Sequence, residues 1–174
     1  AVSIATTEEQ RAVQASVHAW SRATAPLATI RREADGAWRD GWSSLAELGL
    51  FGVAVPEASG GFGATTVDLA VMLEQAAHEL AAGPVLTTAA VALVFGRGGD
   101  ATAKTTAQLV EGALPAGLAL DSEVRAEPAT EGFVLTGDAG PAIAAEPGVA
   151  VLVRLAGDRE RWALVDADAA GVRL

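Results

Sequence analysis

Carboxylates and histidines are the side chains of this sequence that could carry acid–base or metal chemistry. Glu57, Glu74 and Glu79 could act as general acids or bases, and His18 and His78 are of the type that binds zinc. The sequence names no partner that would tune the pKa of a glutamate, and no third metal ligand accompanies the histidines. We therefore assign no catalytic and no metal-binding residue, and we expect Glu74 and Glu79 on a helix surface or in an ion pair, Glu57 in a loop, and both histidines as structural residues.

A glycine-rich loop from Gly60 to Gly63 is the other feature that could do chemistry, because such loops can cradle a phosphate. It follows an apolar run and precedes a helix, as dinucleotide-binding loops do. However, Thr66 stands where that pattern has its third glycine, and no βαβ unit surrounds the loop. The sequence therefore favours a structural turn over a phosphate site.

Two segments with helical periodicity flank this loop. The first ends at Gly49, where a left-handed residue would close a helix, and Pro56 prevents any regular continuation. Its apolar stripe consists of Trp42, Leu45, Leu48 and Leu50. The second is predicted to run from Thr66 to about Ala82 and carries Glu74 and Glu79 among the apolar residues Leu69, Met72, Leu73 and Ala76.

The order of these features is a helix, an apolar segment after it, a glycine loop and a second helix. In this order the sequence resembles the acyl-CoA dehydrogenase family over the first two thirds of the chain. The resemblance implies an α-helical first domain, a β middle domain and a second helical domain with the flavin floor and usually the glutamate base. Nothing follows the β region here, so we expect a fragment or a subunit cut short. The implied chemistry of the whole assembly is α,β-dehydrogenation of an acyl-CoA: a glutamate removes the α-proton, the β-hydride passes to FAD, and an electron-transfer flavoprotein reoxidises the flavin.

The periodicity changes once, near residues 112–115, which predicts an α+β fold with two parts. Residues 1–114 form an N-terminal α-helical domain, and residues 115–174 form a partial, antiparallel, barrel-like middle β domain. In the first part, Thr6 and Glu9 form a capping box before a helix with one face made of Val13, Val17 and Trp20. Residues 86–95 are predicted to form a buried helix, and Asp100 to cap another that runs to Val110 and closes at Gly112. Strands are predicted at 117–120, 132–136, 149–155 and 161–165.

Composition excludes several classes of partner and compartment. A net charge of −10 and a pI of about 4.5 argue against nucleic acid and anionic membrane surfaces. The chain has no cysteine, which fits a reducing cytoplasm, and its start does not resemble a signal peptide. The longest uncharged run, residues 80–96, is broken by Gly83-Pro84, so we expect a protein outside the membrane.

Two segments depart from the flavin contacts that the resemblance implies. Family members have a strand and loop of the type Ala-Leu-Thr-Glu-Pro followed by Gly-Ser-Asp, whereas this chain has Ala-Leu-Asp-Ser-Glu at 119–123 and then Val124-Arg125. Further on, Ala139, Pro141 and Ile143 stand where the family has Lys, Trp and Thr. Each unsatisfied polar group of a buried flavin would cost on the order of 1–3 kcal/mol. We therefore assign no cofactor-binding residue and expect FAD in the complete enzyme but not on this chain alone.

One segment favours a functional interpretation. Residues 83–88 open the helix that lines the acyl tail in the family, and their Gly-Pro-Val-Leu type of opening is common in members similar to sterol side-chain dehydrogenases. Functional enzymes there are often two unlike subunits or fused halves, of which only one keeps the flavin contacts and the base. We predict substrate-pocket residues at Phe62, Val85, Leu86 and Thr88. The structural alternative is a buried helix that begins with a proline.

We therefore interpret the chain as a non-catalytic, pocket-shaping part of an acyl-CoA dehydrogenase that acts beside a catalytic half. Two alternatives stay open: an ordinary catalytic FAD-dependent member with an unusual flavin loop, and a helical interaction domain without acyl-CoA chemistry. Because 51% of the residues are hydrophobic, we also expect an exposed apolar patch for missing domains or a partner, and hence oligomers or partner-dependent solubility.

Overall fold

The computed structural model describes residues 6–31, 36–130, 132–157 and 161–174. The chain divides into two compact units, Ala1–Ala113 and Leu114–Leu174. In the described ranges the first unit contains six α-helices and the second contains four strands. The α+β class is therefore confirmed, and the assignment of 1–114 and 115–174 as domains stays a prediction.

The helices of the first unit are short apart from the first. Their bounds are α1 Glu8–Thr24, α2 Pro26–Arg31, α3 Trp42–Glu47, α4 Thr66–His78, α5 Val85–Phe95 and α6 Ala103–Val110. Turns of 3₁₀ helix lie at Ala37–Gly41, Leu50–Gly52, Glu57–Ser59 and Gly99–Thr102. The predicted helix at 86–95 is thus confirmed as α5, but it is buried on one side only. That inner side consists of Val85, Thr87, Thr88, Ala89, Val91 and Ala92.

The start of α1 lies one residue later than predicted. Thr7 is the N-cap, and its Oγ1 accepts a hydrogen bond from the backbone nitrogen of Gln10, whose Oε1 accepts one from the Thr7 nitrogen. The capping box of Thr6 and Glu9 is therefore wrong. The Gln10 amide also donates to Asp68 Oδ1 at 2.9 Å. Asp68 closes the capping box of α4 with Thr65, so one hydrogen bond joins the two helix starts.

Helix α4 ends at His78, four residues before the predicted Ala82. Leu80 takes a left-handed conformation with φ of 58°. Its nitrogen donates to the Ala77 carbonyl and the Ala81 nitrogen donates to the Ala76 carbonyl. These two bonds define a Schellman motif, which usually has glycine where Leu80 stands. The sequence therefore lacks the local signal that would have marked this end.

Apolar residues of α1, α3, α4 and α5 form the core of the first unit. Val17 and Trp20 of α1 are buried in it, and Val13 packs against it, which confirms the predicted face. The predicted stripe is also confirmed, because Trp42, Leu45 and Leu50 are buried in the same core and Leu48 packs against it. The Trp42 indole nitrogen donates to the Gly112 carbonyl at 2.7 Å, so the one polar group of this buried ring has a hydrogen-bond partner.

Asp100 does not cap the helix that ends at Val110. It lies inside the Gly99–Thr102 turn, and α6 begins only at Ala103, after Thr102. The Thr102 hydroxyl lies 2.7 Å from the Phe95 carbonyl oxygen, to which it donates, so it caps no α6 nitrogen. Closure near Gly112 is confirmed by its left-handed φ of 72°.

The second unit is a four-stranded mixed sheet in the order β2-β1-β3-β4. The strands are β1 Ala116–Pro128, β2 Phe133–Thr136, β3 Ala150–Leu155 and β4 Arg161–Asp166. The β1–β2 and β3–β4 pairs are antiparallel, but β1 and β3 are parallel, with Ala116 opposite Ala150. The prediction of an antiparallel sheet is therefore wrong for the central pair, β1 and β3. The chain returns through β2 on one side of β1 before β3 forms on the other, so β1 and β3 run in the same direction.

Strand β1 is much longer than the predicted 117–120. Its register with β3 shifts between Ala119 and Val124, as in a β-bulge. The polar residues 121–123, which lie beyond the predicted end of this strand, fall within the register shift. Ser122 is buried there, and its hydroxyl donates to the Arg154 carbonyl of β3.

Candidate functional site

The four predicted substrate-pocket residues differ sharply in exposure. Val85 and Thr88 are buried on the inner side of α5. Leu86, on the same helix, is 61% exposed, and Phe62 is 63% exposed. The structure thus places two of these side chains at the surface and two inside the core, and their assignment to a pocket stays a prediction.

Phe62 is held over the backbone of the preceding turn although its ring is exposed. Its nitrogen donates to the Gly52 carbonyl at 3.0 Å, and the following residues, Gly63 and Ala64, donate to the carbonyls of Val55 and Val53. A Cβ atom on Gly49 would lie 2.6 Å from the Phe62 ring. The glycine loop is therefore a hydrogen-bonded turn that carries one exposed aromatic side chain.

The outer side of α5 is also apolar. Leu86 and Val94 lie eight residues apart on this helix, and both are exposed. Ala90 lies between them, one turn from each. The helix contains no charged residue. A surface helix normally presents polar residues to water, so this side has the composition of a contact surface.

The two segments implied as flavin contacts lie against each other in the second unit. Leu118 and Ile143 exchange two backbone hydrogen bonds of 2.9 and 3.0 Å, and the Glu123 nitrogen donates to the Asp138 carbonyl at 2.8 Å. Asp138 Oδ1 in turn accepts from the Gly140 nitrogen. Four hydrogen bonds thus already occupy backbone and side-chain groups in and next to these segments.

A cavity of about 670 Å³ lies beside these segments on the inner face of the sheet. Most of its lining is apolar, and the polar groups on it come from Thr136, Asp138 and Arg173. Its apolar walls include Val124 of β1, Val151 and Val153 of β3, and Val165 of β4. It is large enough for a small molecule.

Glu79 is the centre of a polar cluster that joins α1 to the end of α4. His18 Nδ1 lies 2.7 Å from Oε1, and because a carboxylate only accepts, Nδ1 is the donor. Ser21 Oγ donates to Oε2 at 2.7 Å and Gln75 Nε2 to Oε1 at 2.8 Å. The hydrogen bond from His18, followed by that from Ser21, lowers the pKa of Glu79 from 4.5 to about 2. Glu79 therefore lies at ion-pair distance from His18, which is one of the two arrangements expected from the sequence.

This cluster predicts how the free energy of unfolding changes at acidic pH. A carboxylate whose pKa is lowered on folding stabilises the fold above its unfolded value, here 4.5, and loses that contribution as the pH falls toward about 2. Glu79→Gln should therefore flatten the pH dependence of the free energy of unfolding between about pH 4.5 and 2. Urea unfolding at a series of pH values measures this dependence.

Glu74→Gln is the matched control, because Glu74 is exposed on α4 and the variant changes the net charge equally without touching the cluster. Equal slopes for the two variants would contradict the role assigned to Glu79.

The remaining acid–base and metal candidates have structural surroundings. Glu57 is exposed in a 3₁₀ turn, and His78 is exposed with its Nδ1 3.7 Å from Glu79 Oε1. Across the ranges that the structure describes, no three His, Asp or Glu side chains are placed to hold a metal ion. None of the helices in those ranges is long and apolar enough to cross a membrane.

Asp68 is the residue of this unit that sequence reasoning missed. The Thr65 hydroxyl, followed by the Gln10 amide, lowers the pKa of its carboxyl. The Thr65-x-x-Asp68 spacing is a capping-box signal that could have been found from the sequence. Its partner Gln10 is 58 residues away, and no local pattern indicates that contact.

Comparison with known proteins agrees with this arrangement. The model of the acyl-CoA dehydrogenase N-terminal domain matches residues 7–107, which is more than half of the chain. The chain belongs to the acyl-CoA dehydrogenase family. The curated protein acyl-CoA dehydrogenase FadE34 of Mycobacterium tuberculosis (strain ATCC 25618 / H37Rv) is 37% identical over 171 residues, covering 92% of this chain and 23% of that protein.

Two solved structures share the fold. A variant of the steroid ACAD Tcur3481-Tcur3483 is 28% identical with a TM-score of 0.71, over 94% of this chain and 49% of that one. The ChsE4-ChsE5 complex from Mycobacterium tuberculosis is 16% identical with a TM-score of 0.72, over 98% of this chain and 49% of that one. The chain therefore spans about a quarter of the curated relative and about half of each solved chain.

Proposed function

We propose that this chain is a non-catalytic part of an acyl-CoA dehydrogenase assembly that helps to shape the acyl pocket beside a catalytic half. The reaction of that assembly is the α,β-dehydrogenation of an acyl-CoA thioester, with FAD and the glutamate base supplied by the other half. The observation that carries the proposal is the mutual bonding of the two segments implied as flavin contacts. An ordinary FAD-dependent member would need groups at those segments that face the cofactor.

The side chains of these segments do not fit FAD. Ser122 carries the hydroxyl of the implied flavin strand at 119–123, but it is buried and donates to the Arg154 carbonyl. Pro141 and Ile143 carry no hydrogen-bond donor in their side chains. Among the described residues, no buried side-chain nitrogen or oxygen lacks a hydrogen-bond partner, so these segments hold no buried polar side chain left open for a cofactor.

Charge works against FAD at the same place. Asp121 and Glu123 of β1 and Asp138 of the loop after β2 are all exposed acids. Backbone contacts bring them together, because Gly140 lies against the Asp121 carbonyl and Glu123 bonds to Asp138. FAD is an anion because of its diphosphate, so clustered negative charge beside its implied flavin contacts opposes its approach.

The substrate side of the proposal rests on the first unit. We place the acyl chain near Phe62, Val85, Leu86 and Thr88, where an exposed aromatic ring and the apolar helix α5 could contact it. A steroid acyl-CoA is the favoured substrate class, because a 28% identical relative is a steroid ACAD. The proposed partners are the catalytic half and, for the whole enzyme, an electron-transfer flavoprotein. Two of the similar structures are named by paired components, which supports a two-part assembly.

We expect the purified chain to contain no FAD and to bind none on titration. Absorbance at the flavin bands after gel filtration, followed by FAD fluorescence titration, measures this. A stoichiometric yellow protein would overturn the proposal and favour the ordinary catalytic member. Binding of a steroid acyl-CoA by the assembled halves, lost when the apolar surface of α5 is made polar by Leu86→Gln, would support the pocket role over a plain interaction domain.

A further inference from the structure

The connection between α4 and α5, residues 79–84, is fixed at its first end by hydrogen bonds. The Glu79 carboxylate accepts hydrogen bonds of 2.7 Å from His18 and from Ser21, both on α1. Leu80 follows in its left-handed conformation, held by the two backbone hydrogen bonds that end α4. This end of the connection therefore cannot shift without breaking bonds to α1 or within α4.

The other end of the connection lies against an indole ring. Gly83 has a φ of +93°, and a Cβ atom on it would lie 2.7 Å from the ring of Trp38. That ring is held by its own neighbours: its centroid lies 4.8 Å from that of Trp42 in a T-shaped contact, and the guanidinium carbon of Arg39 lies 4.3 Å from its centroid. Trp38 also packs against the core of the first unit. The ring is therefore a firm support for the connection.

The first turn of α5 is bonded directly to the residues that lie on this support. The Val85 nitrogen donates to the Gly83 carbonyl at 2.8 Å, and the Thr88 nitrogen donates to the Pro84 carbonyl at 2.9 Å. Because these bonds join the start of the helix to the connection, a displacement of Gly83 moves the start of α5 with it.

We infer that Trp38 is a positioning residue for the acyl pocket, because its ring sets where the first turn of α5 lies. The inference rests on the proposed function, which places the acyl chain near Val85 and Leu86, and it adds a determinant of specificity that need not touch the substrate. A residue that acts in this way decides which acyl groups fit. It leaves the chemical step unchanged, because the proposal assigns FAD and the base to the other half.

Gly83→Ala tests the support by placing a methyl group between the connection and the ring. Because Trp42 and the core back the ring, the connection must move away from it. In the chain assembled with its catalytic half, the KM for a steroid acyl-CoA should rise by about tenfold while kcat changes by less than about twofold. A straight-chain acyl-CoA such as octanoyl-CoA is thinner and should lose less, so the ratio of the two kcat/KM values should fall.

Trp38→Ala separates the contact with the ring from backbone strain at Gly83. It removes every ring atom that the new methyl group would meet, but the φ of +93° remains. In the Trp38→Ala background, adding Gly83→Ala should therefore change the steroid KM by less than about twofold, so that the two substitutions are not additive. Equal effects of Gly83→Ala in both backgrounds would assign its effect to strain and overturn the inference.

Gly99→Ala is the control for a left-handed glycine elsewhere in the first unit. Gly99 has a φ of +63° in the turn between α5 and α6, and no heavy atom lies within 4 Å of an added Cβ. This variant should keep the parent's preference for the steroid substrate. A loss as large as that of Gly83→Ala would overturn the positioning role.

The remaining outcomes distinguish this inference from the proposed function. Circular dichroism shows whether each variant folds. If Gly83→Ala does not fold, Trp38→Ala alone decides, because loss of the support should raise the steroid KM and leave kcat in place; an unchanged KM would overturn the inference. An assembly of the unchanged chain that binds no steroid acyl-CoA overturns the proposed function instead. An assembly that binds it but is unaffected by Gly83→Ala overturns only the role of Trp38.

Discussion

Phe51→Ala should lower the free energy of unfolding of the first unit by about 3–5 kcal/mol, as is typical when a large core side chain is truncated. Phe51 is only 1% exposed, and its ring centroid lies 4.7 Å from that of Trp42. Phe51 lies in the turn that follows α3, and its buried ring packs against Trp42 at the start of that helix. Urea unfolding followed by tryptophan fluorescence measures the loss, because Trp20, Trp38 and Trp42 all lie in this unit.

Phe133→Ala is the control for the same chemical change at the surface. Phe133 lies in β2 and is 65% exposed, so its truncation should change stability by less than about 0.5 kcal/mol. Circular dichroism, which follows both units, should report this variant as close to the parent. Similar stability losses for the two variants would show that the core does not depend on Phe51 as the structure indicates.

Much of the first unit could be predicted because its signals are local. The stripe from Trp42 to Leu50, the end of the helix at Gly49 and the apolar helix α5 each depend on residues within one or two turns. A hydrophobic period and a left-handed glycine are read directly from the sequence, and packing then reinforces what the chain favours locally.

The errors arise where a distant contact chooses between local alternatives. Thr6 and Thr7 are each followed three residues later by a Glu or a Gln, so both could begin α1. The structure selects Thr7, because Gln10 then also reaches Asp68 at the start of α4. The sequence cannot show that α1 and α4 meet at this point.

The sheet was harder to predict for the same reason. The polar stretch at 121–123 suggests a turn, but the Ser122 hydroxyl finds the Arg154 carbonyl on β3 and the strand continues through a bulge. The parallel pairing of β1 with β3 likewise depends on where β2 and the loop after it return the chain. Neither contact leaves a local pattern.

The candidate site was predicted unevenly. The missing donors at Pro141 and Ile143 are visible in the sequence, since they depend only on residue type. The pairing of Ile143 with Leu118 depends on register between segments 25 residues apart and is visible only in the structure. The sequence predicts Glu79 on a helix surface or in an ion pair, but it does not indicate the partners His18 and Ser21 on α1.

Gly49→Val should destabilise the first unit by about 1–3 kcal/mol through backbone strain, with a further cost from a displaced ring. Gly49 has a φ of +80°, which a β-branched residue rarely adopts. An added Cβ would also lie 2.6 Å from the Phe62 ring, so the ring must move away from its position over the turn. The variant therefore tests both the end of α3 and the support of the glycine loop.

Gly60→Val separates these two costs. Gly60 has almost the same φ of +85°, but nothing lies within 4 Å of an added Cβ. Urea unfolding of both variants should show a loss at each site and the larger loss at Gly49, since only there is Phe62 displaced. If Gly49→Val unfolds like the parent, the left-handed helix end is wrong. If it matches Gly60→Val, Phe62 contributes nothing by resting on this turn, and its position near the proposed acyl pocket loses its structural support.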